Sequence, residues 1–249
     1  MVNIILSGCN GRMGRMISRI CGESDDIAIT AGVDLYSVKL DAYPVYSSFN
    51  DIEAEADAVV DFSNPSVLTS LLAYCKKKRL PVVLCTTGYT EEQLAEIRAA
   101  SKEIPIFRSF NMSIGINLLT ELVKKAVSVL GDAYDIEIVE MHHRTKLDAP
   151  SGTAIMLAEA AKEARGRGEY VYERHSVRQQ RGADEIGISS LRGGTVVGEH
   201  SVIFAGPDEV IELKHSAYSR EVFANGAVRA AKFMSDVKEP GMYDMSDIV

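Results

Sequence analysis

Asn3-Ile4-Ile5-Leu6-Ser7-Gly8-Cys9-Asn10-Gly11-Arg12-Met13-Gly14 is the stretch that decides the fold. A short apolar run of strand length meets three glycines spaced three apart, and a periodic segment from Arg15 to Cys21 follows. This reads as strand, glycine turn, helix. Glycines there let the backbone turn tightly, approach a ligand closely and pack helix on strand. The helix N-terminus behind them offers N–H groups and a positive dipole end to a pyrophosphate. The spacing is G-x-x-G-x-x-G rather than the usual G-x-G-x-x-G, and a plain tight turn would look similar, so a second signal is needed.

The next strand supplies it. Ile27-Ala28-Ile29-Thr30-Ala31-Gly32-Val33 is apolar and ends at Asp34. A carboxylate at that distance from the turn is where a Rossmann unit holds the adenosine ribose hydroxyls. A solvated strand-end residue is the plainer reading of Asp34, and the glycine turn tips the balance to the first. A carboxylate repels a 2′-phosphate and the next residue is Leu35, so NADH is expected to be well used. Arg12 and Lys39 are the cations that would help NADPH.

Working outward, 57–62 reads as a strand leading into Ser63-Asn64-Pro65, and 66–79 as a helix ending in Lys76-Lys77-Lys78-Arg79. That basic run suits a helix C-terminus rather than a nucleic-acid site. A buried-type strand at 81–85 precedes Thr86-Thr87-Gly88. A helix over 90–102 carries Glu91 and Glu92 in its first turn, and a strand at 104–107 precedes Ser109-Phe110-Asn111-Met112. Strands alternating with helices predict an α/β fold with a doubly wound parallel sheet, whose ligands lie beyond the carboxyl ends of the strands. After Ser113 the pattern changes. A helix to Leu130 and a strand over 135–141 running into His142-His143 are followed by a helix over 153–165. A polar, mobile stretch is expected at 173–185, then strand-like segments at 186–191, 195–204 and 209–217. Strands without intervening helices predict a second, α+β domain with a mixed or antiparallel sheet. A helix from Phe223 to Met234 is expected to return to the first domain. The expected division is 1–112 plus 221–249 for dinucleotide binding and 113–220 for substrate binding and oligomerisation.

Composition bounds the partners. A net charge of -8 argues against general nucleic-acid binding, and no run reaches the apolar length of a membrane span. Cys9, Cys21, Cys75 and Cys85 fit neither a zinc spacing nor a disulfide framework, and Met1 leads straight into a strand with no room for a signal peptide. A cytoplasmic protein with reduced thiols is expected. An anionic ligand therefore needs a local basic patch.

That patch is Glu140-Met141-His142-His143-Arg144-Thr145-Lys146-Leu147-Asp148-Ala149-Pro150-Ser151-Gly152-Thr153. If strand geometry persists through His142-His143, the two imidazoles point to opposite sides and have different tasks. An imidazole exchanges protons near neutral pH, and Lys146 adds a cation that donates a proton or binds a carboxylate. Ser151-Gly152-Thr153 opens a helix, so its N–H groups and hydroxyls make an anion site. Arg144 either binds substrate or pairs with Asp148. The plainer reading of one such histidine is a surface or satisfied core group. Adjacent strand histidines do not readily share a metal ion, so no metal is expected. Two histidines and a lysine beside a helix start favour catalysis on a small, multiply anionic substrate presented to a nicotinamide.

These stretches, with Cys85-Thr86-Thr87-Gly88 and Phe223-Ala224-Asn225-Gly226-Ala227-Val228-Arg229, resemble the dihydrodipicolinate (4-hydroxy-tetrahydrodipicolinate) reductase family over essentially the whole chain. The resemblance implies NADH- or NADPH-dependent reduction of a cyclic conjugated imine with two carboxylates, on the diaminopimelate route to lysine, in a homotetramer. It implies His142 and Lys146 as the acid/base pair, and His143, Gly152 and Thr153 as holders of substrate carboxylate. Cofactor contacts are implied at Gly8, Cys9, Asn10, Gly11, Arg12, Met13, Asp34, Cys85, Thr86, Thr87, Ser109, Phe110, Asn111 and Met112. The family usually has glycine at the position of Cys85, and often arginine at that of Leu35. A competing reading is another amino- or imino-acid dehydrogenase of aspartate dehydrogenase type. A non-enzymatic nicotinamide sensor would need the glycine turn but not the His142–Lys146 cluster.

Overall fold

Ile4, Ile5 and Leu6 have no exposed surface, so β1 (Val2–Ser7) is covered on both faces, as a central strand of a parallel sheet must be. The computed structural model describes residues 1–39 and 42–249. Its chain falls into two units, Met1–Ser113 with Glu221–Val249, and Ile114–Arg220.

In the first unit β1 is followed by α1 (Arg12–Gly22), β2 (Ile27–Val33), β3 (Val45–Tyr46), β4 (Ala58–Asp61), α2 (Leu68–Lys78), β5 (Val82–Leu84), α3 (Glu91–Ala100) and β6 (Pro105–Arg108). The strands pair in parallel in the order β3-β2-β1-β4-β5-β6, with a last strand near the C-terminus beyond β6. This is the doubly wound order, and its direction reverses between β1 and β4. Helix α1 begins at Arg12, earlier than the periodicity of 15–21 predicts, because Gly11 is already its extended N-cap and Arg15 N donates to Gly11 O at 3.0 Å. Helix α3 is set by a reciprocal cap, with Thr90 Oγ1 accepting from Gln93 N and Thr90 N donating to the Gln93 side chain.

The second unit holds α4 (Ile114–Leu130), β7 (Asp135–His142), α5 (Gly152–Arg165), β8 (Glu169–Val171), β9 (Glu185–Arg192), β10 (Gly198–Ala205) and β11 (Val210–Ala217). Its sheet runs β11-β10-β7-β9-β8. The β11–β10 and β10–β7 pairs are antiparallel, whereas β9 is parallel to β7 and to β8. One face packs on α4 and α5: Ile136, Ile138, Ile186, Ile188, Val202 and Phe204 meet Ile116, Leu119, Val123, Leu157 and Ala161. The burial of β7 alternates strictly, with Ile136, Ile138, Glu140 and His142 on the inner face.

Three features went unforeseen. The short β3 and β8 carry too few residues for a period to show. The stretch expected to be mobile is anchored by Arg181, which donates to Asp135, Glu137, Gly182 O, Ile136 O and Glu185 O. The third is β12 (Gly241–Tyr243), the last strand, parallel to β6 and reached through α6 (Glu221–Asp236) of the first unit. Gly226 of α6 lies so near the 109–112 loop that a Cβ there would sit 1.6 Å from the Met112 carbonyl oxygen. Only glycine lets that loop rest on the helix.

Candidate active site

Glycine chemistry shapes the first unit. Gly8 has φ +77, and a Cβ on it would sit 2.5 Å from Phe62 O. A Cβ on Gly14 would sit 2.2 Å from Gly8 O, so the helix start and the turn are in direct backbone contact. A cavity of about 1070 Å³ opens beside this turn. Gly8, Asn10, Gly11 and Asp34 line it together with Leu35 and Ser63. One Asp34 oxygen accepts from Asn10 N at 3.0 Å, which ties the end of β2 to the turn. Asn10 Nδ2 donates to Tyr36 O and Val38 O, both at 3.1 Å. Turn, acidic residue and cavity therefore fit the adenosine half of a dinucleotide.

Not every expected cofactor residue turns its side chain that way. Cys9 is fully buried beneath Gly32, where a Cβ would meet its sulfur at 2.6 Å, and burial pushes its thiol up to about 11. Only its backbone belongs to the turn. Arg12 is exposed and Met13 half-buried on α1. After β5, Thr86 donates to Asp61 Oδ2 at 2.6 Å and Cys85 N donates to Asp61 O at 2.9 Å, while Thr87 is exposed. Burial, then the neighbouring Asp61, holds the Cys85 thiol well above its ordinary range, so it is no thiolate nucleophile. Ser63 donates to the other Asp61 oxygen at 2.5 Å, so one buried carboxylate joins the loops after β4 and β5. In the loop after β6, Ser109 Oγ donates to Asn111 O and Asn111 Oδ1 accepts from Ser113 N. Phe110 is exposed with Arg108 at 5.7 Å from its ring, and Met112 is buried.

The second unit gathers the chemistry-bearing stretch at one end of its inner sheet face. His142 is the last residue of β7 and His143 lies beyond it. The two imidazoles differ in surroundings: His142 is buried, and His143 is half-buried with its Nδ1 2.8 Å from Thr145 Oγ1. His142 Nδ1 lies 2.6 Å from Glu140 Oε2. Glu140 has no exposed surface; its carboxylate also takes both arms of Arg192, at 2.7 and 2.8 Å, and Ser151 N at 3.1 Å. Burial alone would raise this carboxyl, but Arg192, His142 and Ser190 outweigh it and hold it at about 2. Ser151 caps α5 by accepting from Ala154 N at 3.1 Å, and its hydroxyl lies 2.9 Å from His200 Nε2. His200 meets the His142 ring edge-on at 5.1 Å. Nothing lies within 4 Å of the position a Cβ would take on Gly152, so the helix start is open there, with Thr153 half-buried beside it.

Asp148 pairs with Lys146, at 2.9 Å, and not with Arg144. Lys146 and Asp148 are two apart on an extended loop and share a side, whereas Arg144 is exposed and its N–H donates to Gly194 O. The pair is uneven, with Lys146 largely covered and Asp148 mostly in solvent. Among the described residues no group of histidine, cysteine and acidic side chains is placed to hold a metal ion, and no helix is long and apolar enough to cross a membrane.

The sequence reading assigned no role to Glu140, Arg192 or His200. Alternation in the flanking strands carried the signal. Ile136-x-Ile138, Ile186-x-Ile188 and Val202-x-Phe204 set the inner phase, and extending each by its period of two puts Glu140, Arg192 and His200 inside.

Two family models match the chain: dihydrodipicolinate reductase, N-terminus, over residues 2–112, and dihydrodipicolinate reductase, C-terminus, over 115–249. The chain belongs to the dihydrodipicolinate reductase family. Relatives named 4-hydroxy-tetrahydrodipicolinate reductase from Caldanaerobacter subterraneus subsp. tengcongensis and Clostridium novyi are 51% and 47% identical, each over 100% of this chain and 98% of its own. The fold matches that of a dipicolinate-bound dihydrodipicolinate reductase from Paenisporosarcina sp. TG-14 with a TM-score of 0.82 at 25% identity, covering 100% of both chains. Aspartate dehydrogenase from Thermotoga maritima matches at TM-score 0.54 and 12% identity over 96% of this chain and 98% of its own; this shows shared fold alone.

Burial, reinforced by His142, pushes the His200 imidazole down from its ordinary 6.5 to about 4. A buried neutral histidine binds its proton more weakly folded than unfolded. Its contribution is complete above pH 6.5 and is lost as pH falls toward 4, with a span of about 3 kcal/mol. Urea melts at pH 7 and pH 4.5 are expected to show a steep acid loss in the wild type and a clearly shallower one in His200→Gln. Equal pH slopes would show that His200 is not buried neutral.

Proposed function

We propose that this protein is a 4-hydroxy-tetrahydrodipicolinate reductase of lysine biosynthesis by the diaminopimelate route, with His142 and Lys146 as its proton-handling pair. The observation that carries the reading is the His142 ring. A carboxylate bound to Arg192 accepts only, so the 2.6 Å contact makes His142 Nδ1 the donor and leaves Nε2 to give and take a proton. That atom belongs to the same short stretch as Lys146 and the open start of α5, where a dicarboxylate finds cations and N–H groups together.

A bound reduced nicotinamide supplies the hydride. 4-Hydroxy-tetrahydrodipicolinate first loses its 4-hydroxyl with a neighbouring proton as water, giving the conjugated imine, and hydride addition to that imine leaves an electron-rich carbon that needs a proton. His142 supplies it from Nε2, and Lys146 stabilises the charge that develops beforehand. His143, Gly152 and Thr153 hold substrate carboxylate, the helix start by its N–H groups and positive dipole end. The first unit is the dinucleotide domain. Backbone at Gly8–Met13 approaches the pyrophosphate, Asp34 takes the ribose hydroxyls, and the segments Cys85–Thr87 and Ser109–Met112 contact the nicotinamide half. The second unit serves substrate binding and oligomerisation. We place the enzyme in the cytoplasm, in keeping with its four free cysteines.

Steady-state assays are expected to show reduction of 4-hydroxy-tetrahydrodipicolinate and no comparable turnover of oxaloacetate with ammonia. His142→Ala and Lys146→Ala should each lose at least about 100-fold in kcat, with the Kd for NADH nearly unchanged. A near wild-type rate in either variant removes that residue from the mechanism.

Leu35 is 85% exposed where an arginine would clamp a 2′-phosphate, and Asp34 is an anion beside it. Efficient use of NADH follows, and the ratio of kcat/KM for NADH and NADPH measures it. A large NADPH preference would overturn this view of Asp34 and Leu35.

Homotetramer formation has support in the outer face of the second sheet. By strand alternation Val139, Met141, Leu191 and Ile203 share that face, with Leu191 50% exposed. Light scattering should return four times the chain mass of 27.2 kDa; a monomeric mass would refute the assembly.

A further inference from the structure

Glu140 touches two pieces of the proposed machinery at once. Its Oε2 meets His142 Nδ1, and its Oε1 accepts from the N–H of Ser151, the residue that caps α5. Arg192, opposite His142 in the β7–β9 register, closes the carboxylate from β9 and also donates to Asp148 O at 2.6 Å. Donors from His142, Arg192, Ser151 and Ser190 converge on a side chain with no exposed surface, so its place is fixed by contacts on three segments of chain.

We propose that Glu140, braced by Arg192, is the positioning residue of the reduction, fixing the proton-bearing nitrogen of His142 and the carboxylate-binding start of α5 in one frame. The proposal deepens the functional reading above and rests on it. Glu140 itself exchanges no proton with substrate. It presents a fixed negative charge to Nδ1, which holds the N–H on that nitrogen and leaves Nε2 as the atom that faces substrate chemistry. Of the neighbouring charges, Arg192 from β9 meets the same carboxylate, and Lys146 in the following loop meets Asp148. His200 from β10, with His215 opposite it on β11, is neutral near pH 7 and adds little. Gly198 leaves the ring its room, since a Cβ there would sit 3.0 Å from His142 Nε2.

Glu140→Gln alone leaves the half-buried Arg192 without its carboxylate and can unfold the protein, so the decisive variant is Glu140→Gln with Arg192→Met, which removes both charges together. Its kcat is expected to fall about 10- to 100-fold with the KM for NADH within about twofold. A folded double variant with wild-type kcat would reduce the pair to a structural ion pair and overturn the proposal. Nitrogen-15 NMR of the wild-type imidazoles, assigned by loss of one ring in His142→Gln, tests the same point without activity. At pH 8 the ring should be protonated at Nδ1; protonation at Nε2 instead overturns the proposal even if no double variant folds. A wild-type protein that reduces no 4-hydroxy-tetrahydrodipicolinate would sink the functional reading and leave the NMR result standing.

Discussion

A carboxylate without exposed surface must have each oxygen met by donors, or folding would neutralise it or expel it. Glu140 imposes that condition on the second unit. It requires an arginine at the inner end of β9, a ring nitrogen two residues along β7 and a backbone N–H at the cap of α5. The register of β7 with β9 and the entry of α5 onto the sheet both satisfy it. Such a pair is weak support for stability, since apolar residues of similar size often serve as well. Its value lies in specification, because few arrangements of these three segments leave no charge alone.

The first unit is governed by contacts that exclude a side chain. Gly8, Gly14 and Gly226 each sit where a Cβ would press on a backbone carbonyl or the chain beside it. Turn, helix start and the 109–112 loop are thereby fixed by main chain against main chain. Such surfaces change little with side-chain rotamer, which suits a platform for a long dinucleotide held by its backbone. Asp61 adds a polar tie, joining the loops after β4 and β5 through Ser63 and Thr86.

Much of this was legible in the chain. Buried runs such as Ile4-Ile5-Leu6 and the turns between them carry the doubly wound order, because a strand covered on both faces has no polar phase to confuse it. The inward placement of His142 follows from the period of two. What the sequence concealed depends on long-range partners. Arg192 lies fifty-two residues from Glu140, and no local pattern announces an ion pair at that separation. The Lys146–Asp148 pairing turned on which way a loop residue faces, which spacing alone leaves open. Strands β3 and β12, of two and three residues, are held by the neighbour they extend and have no periodicity of their own.

The seating of the 109–112 loop on Gly226 also orders events during synthesis. The second unit is one continuous segment, Ile114–Arg220, and all of it has been made before α6 exists. The first unit begins the chain and cannot be finished until its last residues are added: β6 has no β12 beside it, and Met112 has no helix beneath it, while the ribosome is still short of Glu221. The domain that starts first is therefore completed last, and loss of the final helix and strand would be felt at a loop more than a hundred residues upstream.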